Sequence, residues 1–212
     1  MATSQSHRLR RAAQKASRRK AVVAERRKAE PAIKGGGQER QVAAAARAPV
    51  KTCIVSDRLF ATGMGQLVLA RTLSSGMVAA CFFLIDVWCL GIKDAFFVLV
   101  TPQKFRDRMD ELSRQQPFND IDPSVARKLL HDAADYAAGF GLAPSEDFAQ
   151  AEAIFGDIPI AMETFPFGKN GKPFFICGPH DSPTRIRHIL ATLAKRAGPD
   201  GFDFIAGMAD FA

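Results

Sequence analysis

The most apolar block of the chain is residues 77–85, MVAACFFLI, which is continuous rather than alternating. That pattern fits a strand covered on both faces, with a buried helix as the alternative. Residues 66–71 are also rich in strand formers, and Leu73-Ser74-Ser75-Gly76 places a polar turn with a permissive glycine between the two segments. Together they read as a hairpin. A third segment follows in which the pattern breaks. Asp86, Cys89, Lys93 and Asp94 crowd into nine residues beside the most apolar part of the sequence. Charges there must be paired, hydrogen-bonded or put to use.

Past residue 100 the apolar positions take up helical spacing. Thr101-Pro102 reads as an N-cap and first helical residue, with Phe105, Met109 and Leu112 on one face. Asp122-Pro123 repeats the device, ahead of Val125, Leu129, Ala133 and Ala137 as a buried stripe and Gly139-Phe140-Gly141 as the stop. A shorter helix is expected after Ser145, with Phe148, Ala151 and Phe155 on one side and Gly156 at its end. Residues 165–178, FPFGKNGKPFFICG, suggest a hairpin about Asn170-Gly171, a pair suited to a type I′ turn. Ser182-Pro183 opens the best-defined helix, with Ile186, Ile189, Leu190 and Leu193 inward, Lys195 and Arg196 in its last turn, and Gly198-Pro199 after it. Residues 202–205 suit a last strand or an extended arm. No internal repeat occurs. The order of elements predicts an α+β fold with a mixed or antiparallel sheet and about four helices.

Charge divides the chain in two. Residues 1–51 carry 14 Lys and Arg against 3 Asp and Glu, whereas the remainder carries 15 against 19. The isoelectric point near 9.5 therefore belongs to the N-terminal part. Residues 7–30 contain good helix formers without Gly or Pro, and Arg8, Arg11, Lys15, Arg18 and Arg19 would line one helical face. No comparable apolar stripe exists to dock the segment, so it is expected to be disordered or partly helical until its charge is neutralised. With Arg10, Lys20, Arg26, Arg27 and Lys28, these residues are candidate contacts for a polyanion: nucleic acid or a ribonucleoprotein first, an anionic membrane surface second. Pro31 and Gly35-Gly36-Gly37 break the segment, and residues 38–50 read as a polar, Ala-rich linker. The expected division is a basic tail and linker over 1–50 and a single α+β domain over 51–212.

Cys53, Cys81, Cys89 and Cys177 have no spacing suited to zinc, and they read as reduced thiols of a cytoplasmic protein. Asp86 interrupts the longest apolar run before it could span a bilayer, and the basic start lacks the apolar core of a signal peptide. Residues 1–24 share the acid-free composition of a mitochondrial presequence but are short of large apolar residues, with Leu9, Val22 and Val23 the main ones.

Asp86, Cys89, Lys93 and Asp94 are the sharpest candidate cluster. Two carboxylates at the end of a buried strand suit a metal site or a general base, with Lys93 steering an anionic substrate. Cys89 near a lysine could be an activated nucleophile. The structural alternative is that Lys93 pairs with one aspartate while Asp86 caps the turn. His131 stands one helical turn from Asp135 and beside Asp132, either a base held by a carboxylate or a solvated helix face. Gly178 and His180, before the last well-defined helix, could receive an anion at its free N–H groups, against the plainer reading of a loop and cap. Lys169 and Lys172 form a basic hairpin tip. Gly63-Met64-Gly65 lacks the features of a phosphate loop, and Trp88 and Tyr136 read as core or core-edge residues. No motif names a cofactor.

The segment Phe83-Leu-Ile-Asp86-Val-Trp-Cys89-Leu-Gly-Ile-Lys93-Asp94, with Ala126-Arg-Lys-Leu-Leu130, Gly171-Lys-Pro-Phe174 and Gly178-Pro179, resembles recurring segments of a family of bacterial proteins of unassigned function. The resemblance spans most of residues 52–205, omits the basic tail, and implies no reaction or ligand. Three roles follow from the sequence. The first is a binding protein whose tail contacts nucleic acid. The second is a hydrolase-type enzyme, metal-dependent or not, centred on Asp86 and Asp94. The third is a partner-binding module whose tail aids solubility.

Overall fold

The computed structural model describes residues 36–178 and 181–205. The ten candidate tail contacts, Arg8 to Lys28, and His180 lie outside those residues. The elements are α1 (Gly36–Ala45), β1 (Val50–Ser56), α2 (Leu59–Thr62), β2 (Met64–Thr72), β3 (Val78–Asp86), β4 (Gly91–Val100), α3 (Pro102–Gln115), β5 (Phe118–Asp120), α4 (Pro123–Gly139), α5 (Phe148–Glu152), β6 (Phe174–Ile176), α6 (Pro183–Ala197) and β7 (Asp203–Ile205). Five strands form an antiparallel sheet in the order β4-β3-β2-β1-β5. The fold is α+β, as the order of elements predicts.

The unbroken apolar run of β3 has its explanation in this arrangement. One face presents Cys81, Phe83 and Ile85 to Leu129, Leu130 and Ala133 of α4 and to Ile154 and Phe155 beyond α5. The other presents Ala80 and Phe82 to Phe105 and Leu112 of α3. All nine residues of β3 are buried, so neither side could alternate with polar residues. The capping residues act as the sequence implies: Thr101, Asp122 and Ser182 accept N–H bonds from Lys104, Ser124 and Arg185. Val125 departs from its expected place. It is half-buried, while Ala126 and Leu130 turn inward with Leu129.

Two expectations change. Residues 36–45 form a helix, with Val42 and Ala45 fully buried in the main core, where a linker was expected. Buried Arg71 of β2 reinforces this docking: its guanidinium donates to the carbonyls of Ala48, Ile154 and Phe155. The hairpin expected over 165–178 shrinks to one bridge between Lys169 and Lys172, about Asn170 and Gly171 with φ of 54° and 77°. Its arms do not pair further because their amides turn elsewhere. Gly168 N–H donates to Val87 O and Phe174 N–H to Trp88 O, each at 2.9 Å. Pro166 and Pro173, one in each arm, have no N–H to offer a ladder. β6 instead pairs in parallel with β7, α6 making the crossover between them.

Candidate functional site

The sharpest sequence cluster is a closed turn between β3 and β4. Asp86 ends β3, and its Oδ1 accepts the N–H groups of Trp88 at 3.1 Å and Cys89 at 3.0 Å. Its Oδ2 lies 3.6 Å from Lys93 Nζ, and the Lys93 side chain is 0% exposed. Lys93 is the extra residue of a bulge: Ile92 faces Ile85 and Asp94 faces Leu84, so Lys93 has no cross-strand partner. That insertion turns the ammonium toward Asp86. Among the described residues Lys93 Nζ has no hydrogen-bond partner, and Asp86 is its electrostatic counterweight. Gly91 permits the arrangement, having φ of 62° and so little clearance that a Cβ would stand 2.5 Å from Ala133 O.

Burial pushes the Asp86 carboxyl above its usual range, opposed by Lys93 and by the N–H groups of Cys89, Trp88 and Leu90. Burial likewise pushes the Cys89 thiol up, with the Asp86 charge adding to the rise. Cys89 is therefore the reverse of an activated nucleophile, because low dielectric and a neighbouring anion both disfavour its thiolate. Asp94, half-buried, accepts the N–H of Ala95 at 3.1 Å. Thr62, Gly63, Met64, Asp86, Trp88, Phe174 and Ile176 line a recess beside this turn that has no room for even a water molecule. Among the described residues, no group of three or more His, Cys, Asp or Glu side chains is arranged to hold a metal ion.

One lysine of the basic hairpin tip also turns inward. Lys169 Nζ sits 4.6 Å from the ring centre of Trp88 and 4.2 Å from that of Phe174, a cation against two aromatic faces. Burial pulls its pKa down, with Asp203 opposing. Lys172 Nζ donates to Asp200 O at 2.8 Å. This aromatic seat had no signature in the sequence, because Trp88 and Phe174 are 86 positions apart and meet only through the bonds that dock residues 168–174 on the turn.

The remaining candidates resolve into structural ties. His131 Nε2 faces Glu152 Oε1 at 3.2 Å rather than Asp135, and the same carboxylate accepts from Arg127 Nε at 2.8 Å. Asp132 pairs with Lys128 at 2.6 Å. The Gly178 amide, expected to receive an external anion, already donates to Asp181 Oδ2 at 2.6 Å. Asp181 is buried and lies 3.6 Å from Arg185 Nε, so the chain supplies its own carboxylate there.

A charged surface absent from the sequence-based candidates lies on α6. Arg185, Arg187, His188, Lys195 and Arg196 are all exposed, and the helix contains no acidic residue. Its composition was the available signal. It passes unnoticed when Lys195 and Arg196 are read only as a helix-end device.

No protein-family model, curated protein or solved structure matches the chain. Among the described residues, no helix is long and apolar enough to cross a membrane.

Proposed function

We propose that this is a cytoplasmic nucleic-acid-binding protein whose basic N-terminal segment contacts nucleic acid, free or within a ribonucleoprotein, and whose α+β domain supplies the rigid body. The observation that carries this reading is the separation of charge. Residues 1–51 hold 14 Lys and Arg against 3 Asp and Glu, on a remainder holding 15 against 19. A surplus of that size attracts polyanions and releases their counterions on binding. The reading also accords with the interior turn, where Asp86 and Lys93 oppose each other's charge and the adjoining recess has no space for a substrate. No comparable observation favours a hydrolase centred on Asp86 and Asp94.

Fluorescence anisotropy with labelled duplex DNA and single-stranded RNA, titrated across salt, tests the proposal on the full chain. Its comparison is a full-length variant with Arg18, Arg19, Lys20, Arg26, Arg27 and Lys28 changed to Gln. Each lost phosphate contact should flatten the fall of log K with log salt by about 0.9 on duplex DNA and about 0.7 on single strands. Equal affinity and equal salt dependence for the two proteins would overturn the assignment.

A further inference from the structure

We propose that the outer face of α6 is a second phosphate-contact surface, built into the folded domain, that follows the sugar–phosphate backbone of the nucleic acid held by the N-terminal segment. The inference rests on the preceding reading and adds the place where the domain itself meets the ligand.

The first support is the contrast between the helix and its surroundings. α6 carries four Arg and Lys and no Asp or Glu, whereas the rest of residues 52–212 carries 11 Lys and Arg against 19 Asp and Glu. A cationic island on an acidic body is not a general solvation device. An acidic body repels a polyanion, so close approach needs a surface of opposite sign.

The second support is geometric. Ile186, Ile189 and Leu193 are buried against Leu90, Ala137, Leu142 and Phe175. That fixes the rotation of the helix and leaves its charged residues outside. Arg185, His188, Lys195 and Arg196 are separated by three, seven and eight positions, spacings that return to one side of an α-helix, within an arc of about 100°. From Arg185 to Arg196 the stripe runs for about 16 Å at 1.5 Å per residue. That length matches about five phosphates of one strand at 3.4 Å each.

The third support is accessibility. Arg185 leans toward Asp181 at 3.6 Å but its side chain remains 57% exposed. Arg187, His188, Lys195 and Arg196 are exposed as well. A membrane surface fits this face poorly, because a helix that lies on lipid inserts an apolar side. The apolar side of α6 is spent in the core.

The test uses the full chain with Arg185, Arg187, Lys195 and Arg196 changed together to Gln, and a second variant with the three arginines changed to Lys. Both are compared with the N-terminal Gln variant by anisotropy with duplex DNA. The Gln variant should bind at least tenfold more weakly near 0.1 M salt, with a log–log salt slope shallower by about 3. The charge-retaining variant should keep most of the affinity, which separates lost charge from lost structure. If the N-terminal variant weakens binding while the α6 variant does not, this inference is overturned and the preceding reading stands. If the wild-type protein does not bind nucleic acid even in 50 mM salt, both are overturned. Binding of wild type, but not the Gln variant, to phosphatidylserine vesicles in preference to DNA would replace the nucleic acid with a membrane.

Discussion

The β3–β4 turn and helix α6 place the same kinds of charged group at close quarters and use them in opposite ways. At the turn, Asp86 and Lys93 are shut inside the protein, 3.6 Å apart, beside a recess without room for water. On α6, the charges face solvent, and among the described residues only Arg185 leans on a buried carboxylate. An interior ion pair sits where desolvation is costly and the loss of one partner is severe. An exposed cation contributes little to folding and is free to meet something else. A charge cluster beside an apolar strand is conspicuous in sequence, yet here it closes a turn. The inconspicuous charges of an amphipathic helix are the ones left available.

The most direct way to break this contrast is to remove Asp86. Asp86→Ala leaves the Lys93 ammonium buried without its counter-charge and strips two turn amides of their acceptor. Denaturant unfolding should report a loss of about 3–5 kcal/mol. Asp86→Asn keeps an oxygen at Oδ1 and should cost less. The double change Asp86→Asn with Lys93→Met should recover part of the loss, since no unpaired ammonium remains. A protein as stable as wild type after Asp86→Ala would mean that the turn is not held by this carboxylate.

Next in size is the apolar underside of α6. Ile189→Ala should destabilise by about 2–5 kcal/mol through lost burial and the cavity left behind. The residue is buried against the Leu90 and Phe175 side of the domain. Thermal melts unchanged by this substitution would detach α6 from the core and remove the orientation that exposes its charges.

The cysteines sharpen the same contrast through pH. Burial pushes the Cys53 thiol to about 12, aided by the charges of Asp122 and Asp120, and it raises Cys81 and Cys89 as well. A folded thiol pKa above its unfolded value stabilises the fold below the unfolded value, near 9.0, and that contribution is lost as pH rises through the folded one. Stability should therefore decline from about pH 9 upward. A disulfide-exchange reagent at neutral pH should modify at most Cys177, the one half-buried thiol, and reach the three buried ones only on unfolding. Rapid reaction of Cys89 in the native protein would reopen the turn as a reactive site.

Most of the fold was legible because local signals agreed with burial. Thr101-Pro102, Asp122-Pro123 and Ser182-Pro183 each open a helix, and the continuous run of β3 reports helices on both faces of the sheet. The docking of α1 was less visible, because only Val42 and Ala45 carry it inward and a short Ala-rich stretch resembles a linker. The shortened hairpin has a longer-range cause: its arms bond to residues 87 and 88, an alternative that spacing about Asn170-Gly171 does not reveal. Of the candidate chemistry, the sequence left two roles open for these residues, and the capped turn with a Lys93–aspartate pair is the arrangement found. Which aspartate Lys93 meets was not legible, because it depends on a bulge that strand register sets and local spacing does not reveal.

The smallest expected effect concerns the charges of α6 and the fold itself. Arg187→Gln removes an exposed cation that, among the described residues, packs in no core cluster, so stability should stay within about 0.5 kcal/mol of wild type. Lys195→Gln with Arg196→Gln should differ in kind. Both residues occupy the last turn, where the partial negative charge of the free carbonyls favours cations. Their removal should cost about 0.3–1 kcal/mol at low ionic strength, and the cost should fade as salt screens it. If these lysine and arginine side chains serve only the helix, that small, salt-sensitive loss is their whole effect, and affinity for DNA stays at the wild-type level. If they also contact phosphate, affinity falls far more than a population of unfolded protein set by 1 kcal/mol can account for. Measuring both quantities on one variant separates the charge that supports α6 from the charge that α6 presents.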